Sequence, residues 1–158
     1  GENIRFLIDR QDEPYVFRLV RDRVYYMSER IMKLCSNIGK DELLEAGVLF
    51  GKFTKGGKFR LSITCLDYLA KYARHRVWIK NNGEMPFLYG NHVLKNHIGR
   101  MTEDIPQYAG VIIVNMSDVA LGFGVASRGT LQTKDLEPTA VVILNQADVG
   151  EYLRTEDN

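Results

Sequence analysis

Short stretches of alternating apolar and polar residues, each closed by a turn signal, fill most of this chain and restrict it to small sheets with short helices. Runs such as Val111–Val114, widened by Ala109 and Gly110, fall far below the roughly 20 residues a bilayer-crossing helix requires. No membrane is therefore expected as a partner. With 158 residues, 45% of them apolar, the chain can bury one ordinary core or two small ones. Two cysteines, Cys35 and Cys65, are too few for a disulfide framework and have no CxxC partner for zinc or redox chemistry. Both are expected to pack in the core, and the compartment is expected to be reducing.

The N-terminal part reads as strands at Arg5–Asp9, Tyr15–Val20 and Arg23–Met27, followed by a helix from Glu29 to about Asn37 that Ser28 can cap. Ile31, Leu34 and Cys35 form its apolar stripe, Gly39 marks its stop, and Glu42–Ala46 can add a further helical turn. A hairpin then joins Val48–Thr54 to Lys58–Thr64 through Gly56-Gly57. A two-residue loop would mix polar and apolar side chains on one face. A three-residue loop, Lys55–Gly57 with one left-handed glycine, sorts them: Phe53 opposite Phe59 and Leu49 opposite Ile63 on the core face, Lys52 opposite Arg60 and Thr54 opposite Lys58 on the other. Leu66, Leu69, Ala70 and Ala73 have helical spacing, with Lys71 and Arg74 on the solvent side.

A domain boundary is expected near Ala73–His75, dividing the chain into residues 1–74 and 75–158. Beyond it come a strand at His75–Lys80 carrying the sole tryptophan, Trp78, an Asn81-Asn82-Gly83 turn, a short helix around Asn91–Asn96 and a strand from about Ile98. Further strands are expected at Gly110–Asn115, Ala120–Ala126, Thr139–Leu144 and Glu151–Arg154. Many short strands with one small helix suit a small barrel or sandwich.

Charge is unevenly distributed. The net charge is +1, yet Phe50–Arg100 holds ten basic residues against Asp67 and Glu84, a local +8, leaving −7 for the rest. Such polarity suits a chain that offers one basic face to a polyanion. Lys52 facing Arg60 places like charges directly across a strand pair, at a cost of a few tenths of a kcal/mol, on the order of one cross-strand pair. An anion such as a phosphate would remove that cost. On these grounds Lys52, Lys55, Lys58 and Arg60 are candidate RNA contacts, together with Arg74 and Arg76 at the boundary.

Signatures of catalysis fail on inspection. Gly47-Val-Leu-Phe-Gly51-Lys52-Phe53 has one residue too few between its glycines for a phosphate-binding loop and Phe53 where a hydroxyl must reach magnesium. Gly122-Phe-Gly124 lacks the third glycine and the following helix of a dinucleotide fingerprint, and reads as a strand with a bulge or a close backbone approach. His92 and His97 fall on different sides of a helical turn with no third ligand, so no metal is expected. No nucleophile, base and orienting acid can be assembled; no catalytic residue and no cofactor are expected.

Three blocks carry a resemblance: Phe87-Leu-Tyr-Gly-Asn-His-Val-Leu-Lys-Asn-His-Ile-Gly-Arg100, Asp118-Val-Ala-Leu-Gly-Phe-Gly-Val-Ala126 and Ala140-Val-Val-Ile-Leu-Asn-Gln-Ala-Asp-Val-Gly-Glu-Tyr-Leu-Arg154. Together they resemble a PUA domain, a small RNA-binding pseudobarrel. Joined to Phe50-Gly-Lys-Phe-Thr-Lys, Phe59-Arg-Leu and Leu66-Asp-Tyr-Leu-Ala, they resemble the Nip-seven family of 60S ribosomal-subunit assembly factors over nearly the whole chain. The resemblance implies an α+β fold: an N-terminal antiparallel sheet with flanking helices, then a C-terminal PUA-type pseudobarrel. It implies a non-enzymatic factor of pre-rRNA processing in the nucleus and nucleolus, monomeric outside the particle, with pre-rRNA and other pre-60S assembly factors as partners. It also implies a helical segment ahead of the position of Gly1 that this sequence does not contain. Asn91, His92, Lys95, Asn96 and Arg100, with Arg154 on the last strand, are the RNA contacts it implies in the second domain. Tyr89 and Phe87 are expected to pack at the barrel edge, with stacking on a base as the alternative for Tyr89. The alternative is a protein-interaction adaptor whose RNA contact is weak or indirect.

Overall fold

A computed structural model describes residues 2–35 and 47–156. The chain divides into two compact units, Gly1–Tyr72 and Ala73–Asn158.

In the first unit a 3-10 turn at Glu2–Ile4 runs into helix α1, Arg5–Ile8. This segment was expected as a strand. Phe6, Leu7 and Ile8 are contiguous rather than alternating, and only Leu7 is buried, as on one side of a helical turn that the Asp9 N–H closes onto the Arg5 carbonyl. Strands β1 (Tyr15–Val20), β2 (Arg23–Ser28), β3 (Val48–Phe53) and β4 (Phe59–Leu61) form an antiparallel sheet in sequential order. Helix α2, Glu29–Cys35, starts directly after Ser28. The Gly39 stop, the expected turn at Glu42–Ala46 and the side chains of Ile31, Leu34 and Cys35 lie outside what is described.

Tyr26 is the centre of one sheet face, 1% exposed, with the rings of Tyr15, Phe17 and Tyr68 at 4.8, 5.1 and 4.7 Å. Its hydroxyl donates to the Leu7 carbonyl, fastening α1 to the sheet. Cys65, in a 3-10 turn at Ile63–Cys65, joins this core, as do Leu69 and Tyr72 of helix α3, Leu66–Tyr72. Burial pushes the Cys65 thiol up to about 12, so it is a packed, unreactive group, as its place in the sequence suggested. Lys71 is exposed on α3 as expected, whereas Arg74 falls beyond the helix end. On the opposite sheet face Tyr25 and Met27 pack with Val16, Val20, Leu49 and Met32 of α2.

The second unit is a six-stranded sheet ordered β6-β10-β9-β8-β5-β7. Its strands are β5 (Arg76–Ile79), β6 (Val93–Leu94), β7 (Ile98–Met101), β8 (Gly110–Asn115), β9 (Ala120–Ala126) and β10 (Val141–Asp148). All neighbours are antiparallel except β5 and β8. The core is Val77, Ile79, Phe87, Val93, Ile113, Val142 and Ile143 among others, Phe87 being 1% exposed. Gly122 and Gly124 of β9 lie so close to β10 that an added Cβ would stand 2.2 Å from the Ala147 and Leu144 carbonyl oxygens. The strand-with-close-approach reading of that segment therefore holds, and the pairing register shifts between Asn145 and Ala147 beside it.

Four expectations in this unit are corrected. Asn81-Asn82-Gly83 is the first turn of helix α4, Asn81–Leu88, which continues through Pro86 because burying Phe87 in the barrel outweighs one missing backbone donor. Asn91–Asn96 is not a helix: Val93 enters the core as part of β6, and only Lys95–His97 turn, as a 3-10 segment. Glu151–Arg154 is not a strand; it belongs to helix α6, Gly150–Glu156, which also follows an unforeseen short helix α5 at Thr130–Thr133. The expected strand Thr139–Leu144 is shifted, running from Val141 to Asp148.

Candidate nucleic-acid interface

The β3–β4 hairpin has the register its turn chemistry predicts. Gly51 faces Leu61, Lys52 faces Arg60 and Phe53 faces Phe59. Thr54 N–H donates to the Lys58 carbonyl, Gly57 N–H donates to the Thr54 carbonyl, and Gly57 takes φ +80°, the left-handed residue of the three-residue loop. Lys55 and Lys58 stand exposed in the turn. The ladder ends earlier than expected, however. Ser62 N–H bonds the Phe50 carbonyl and Ile63 enters the 3-10 turn, so Ile63 never faces Leu49.

Pairing of β2 with β3 extends the basic row, because Arg23 lies directly opposite Lys52. Arg23, Lys52 and Arg60 thus form three consecutive cations across β2, β3 and β4, all exposed. Arg18 of β1, opposite Tyr25, shares that face by strand alternation. Among the described residues, the ion pairs are Arg10–Asp12, Lys33–Glu29 and Arg154–Asp148, and none involves this row. Arg23 was missed in the sequence because its alignment with Lys52 depends on a β2–β3 pairing with a register shift between Val24 and Tyr25 that no local pattern signals.

The reverse face of the hairpin departs from expectation. The rings of Phe53 and Phe59 meet at 5.2 Å, tilted by 52°, but are 38% and 42% exposed. Leu61 and Leu19 on the same face are exposed too. The described helices cover the Tyr26 end of the sheet and stop short of the hairpin tip, so what alternation marks as a core face is an open apolar surface.

In the second unit the expected contacts separate by what they already hold. His92 is exposed and its Nδ1 accepts the Asn145 N–H at 3.0 Å, which leaves Nε2 as the protonated nitrogen of the neutral ring. Asn91 and Asn96 are exposed, and their carbonyls accept from Asn145 Nδ2 and Asn82 Nδ2 while their own amide groups stay at the surface. Tyr89, expected to pack at the barrel edge, is instead 67% exposed at the end of α4 beside them. Lys95 is committed inward: its ammonium donates to the Lys134 and Leu136 carbonyls. Arg154 is committed as well, with Nη1 and Nη2 at 3.1 and 3.2 Å from the buried Asp148 carboxylate and a further bond to the Leu88 carbonyl. Arg100 instead lies over the Trp78 ring at 4.5 Å. Arg76 is half-buried on β5, its N–H bonded to Thr102 Oγ1, and Arg74 is exposed just before it. Among the described residues no three His, Cys, Asp or Glu side chains converge as metal ligands.

A cationic row and a neutral donor-rich surface are a division of labour suited to RNA, in which phosphate contacts supply affinity and base-edge contacts supply selectivity. Comparison with known proteins places the chain. Residues 1–63 match the NIP7/UPF0113 pre-PUA domain and residues 75–157 the UPF0113 PUA domain. The 60S ribosome subunit biogenesis protein nip7 of Schizosaccharomyces pombe is 61% identical over 99% of this chain and 87% of its own length. Its namesakes in Saccharomyces cerevisiae and Xenopus tropicalis are 55% and 57% identical with the same coverage. A conserved PUA domain protein from Thermoplasma acidophilum shares the fold, with a TM-score of 0.63 at 15% identity over 98% of this chain and 89% of that one. A PUA domain from Aeropyrum pernix K1 gives 0.57 at 10% identity over 97% and 85%. With its N-terminal sheet, its pseudobarrel and most of its sequence matched in this way, the chain belongs to the NIP7/UPF0113 family.

Proposed function

We propose that this protein is a non-catalytic RNA-binding assembly factor of the 60S ribosomal subunit, acting on pre-rRNA in the nucleolus alongside other pre-60S factors. The observation that carries the reading is the uncompensated row Arg23–Lys52–Arg60, extended by Lys55 and Lys58 at the turn. Evolution of a sheet for stability alone would place a carboxylate in such a row. A ribose-phosphate strand laid across β2–β4 supplies the missing negative charge and releases its own counterions. In the second domain, residues 75–158, Asn91, His92 and Asn96 offer neutral groups to base edges, while Arg74, Arg76 and Arg100 add positive charge. Lys95 and Arg154 support this surface from within, holding the Lys134–Leu136 loop and the end of α4.

The test is the salt dependence of binding to a structured pre-rRNA fragment. Lys52→Ala with Arg60→Ala should flatten the slope of log affinity against log salt by about 1.5, two contacts at roughly 0.7–0.9 each. A slope unchanged by the double substitution removes the hairpin from the RNA interface.

The open apolar face of Phe53, Phe59, Leu61 and Leu19 favours a second role beside the first, contact with another pre-60S assembly protein. If that role stood alone, filter binding with rRNA fragments would show nothing at physiological salt.

A further inference from the structure

On the outer side of β5 and β7, Trp78 and Arg100 are direct cross-strand partners. The Trp78 Nε1–H donates to Asp118 Oδ1 at 2.7 Å, and Asp118 sits in the left-handed region at φ +62°. The loop presenting Asp118 is held firmly: Asn115 Oδ1 accepts the Ser117 and Val119 N–H groups, and the Asp118 N–H bonds the Asn115 carbonyl. The indole is therefore fixed at its edge before any ligand arrives. Arg100 lies over the ring with its guanidinium carbon 4.5 Å from the centroid. Apart from that contact, Arg100 makes no hydrogen bond or ion pair among the described residues. Lys80 is exposed just past the end of β5, two residues beyond Trp78, and its stem runs beside Gly99, which precedes Arg100.

A guanidinium oriented by stacking alone keeps all five N–H donors and its outer π face available. An unpaired nucleobase can cover that face, whereas a base inside a duplex is already stacked on both sides. We infer that the Trp78–Arg100 pair is a stacking platform for an unpaired nucleotide, with the Arg100 N–H groups and Lys80 receiving the adjoining phosphates. Asp118 orients the indole from its edge, with its Oδ1 engaged by the Nε1–H. This inference rests on the RNA-binding reading above and adds to it a single-stranded target for the second domain.

Trp78 is the sole tryptophan of the 158 residues, so its fluorescence reports on this site directly. The full chain is titrated with a uridine decamer and with a ten-base-pair RNA duplex at equal phosphate concentration. The decamer should quench Trp78 and the duplex should not. Arg100→Lys keeps the charge and loses the flat fork, and it should weaken decamer binding about tenfold while leaving the salt slope within error. Equal quenching by the duplex, or decamer affinity unchanged in Arg100→Lys, overturns the platform. In that event binding that still depends on Lys52 and Arg60 leaves the RNA-binding reading standing, whereas a wild-type chain that retains no RNA at low salt removes both.

Discussion

Lys52→Glu separates the stability of the hairpin from its function, because the two should move in opposite directions. Lys52 is paired with Arg23 on one side and Arg60 on the other. Directly opposed side chains on a strand pair have Cβ atoms about 5 Å apart, and an exposed charge pair at that range contributes roughly 0.2–1 kcal/mol. Reversing the central charge converts two repulsions into two attractions, a change of about 1 kcal/mol in favour of the folded protein at low salt. Most of that gain should vanish near 1 M salt, where the Debye length falls to about 3 Å. Urea unfolding followed by far-UV circular dichroism at both salt concentrations measures it. The same variant removes one phosphate contact and adds a repulsive charge, so RNA affinity at low salt should drop by at least tenfold. Loss of stability at low salt would refute the cross-strand electrostatics. A more stable protein with undiminished RNA affinity would refute the assignment of this face to RNA.

Arg154→Ala should lower the melting temperature by several degrees and leave RNA affinity nearly unchanged, because it strands the buried Asp148 carboxylate; adding Asp148→Asn should recover part of the loss. Calorimetry and filter binding on the same samples check both halves of that statement. Gly124→Ala places a methyl group 2.2 Å from the Leu144 carbonyl oxygen and should cost about 3 kcal/mol, read from chemical denaturation. In acid, the Arg10 guanidinium holds Asp12 at about 2, below its ordinary 3.8, through bonds of 2.9 and 2.6 Å. A carboxyl whose folded value is depressed stabilises the fold above its unfolded value and loses that contribution as pH falls toward the folded one. Wild type and Asp12→Asn should therefore differ in stability at pH 5 and converge as pH approaches 2.

Local chemistry made some of this structure readable in advance. The Gly56-Gly57 loop, together with alternation in Lys52–Thr54 and Lys58–Arg60, determined the hairpin register because turn length and side-chain facing admit one solution. Helix α3 followed from the spacing of Leu66 and Leu69. Tertiary demand overrode local signals elsewhere. Asn81-Asn82-Gly83 has turn composition yet starts a helix that delivers Phe87 to the core, and Gly150–Glu156 mimics alternation yet coils beside Leu88. The same limit applies to the candidate site. Lys95 looks like a free cation in a sequence, but the carbonyls it bonds are 39 and 41 residues away, and Arg154 reaches the Leu88 carbonyl 66 residues away as well as Asp148 six residues before it. Arg23 looked unremarkable for the opposite reason: only the β2–β3 pairing brings it to Lys52. Exposure of Phe53 and Phe59 was hidden as well, since alternation identifies a face of a sheet but not whether anything covers it.

Ultraviolet crosslinking of the protein within purified pre-60S particles, followed by mass spectrometry of the peptide–RNA adducts, tests the account most directly. Adducts should concentrate in the peptides that contain Lys52–Arg60 and in the segment from Trp78 to Arg100. A particle-bound protein whose only adducts lie on α1 or α2, or that crosslinks to proteins and to no RNA, would contradict it.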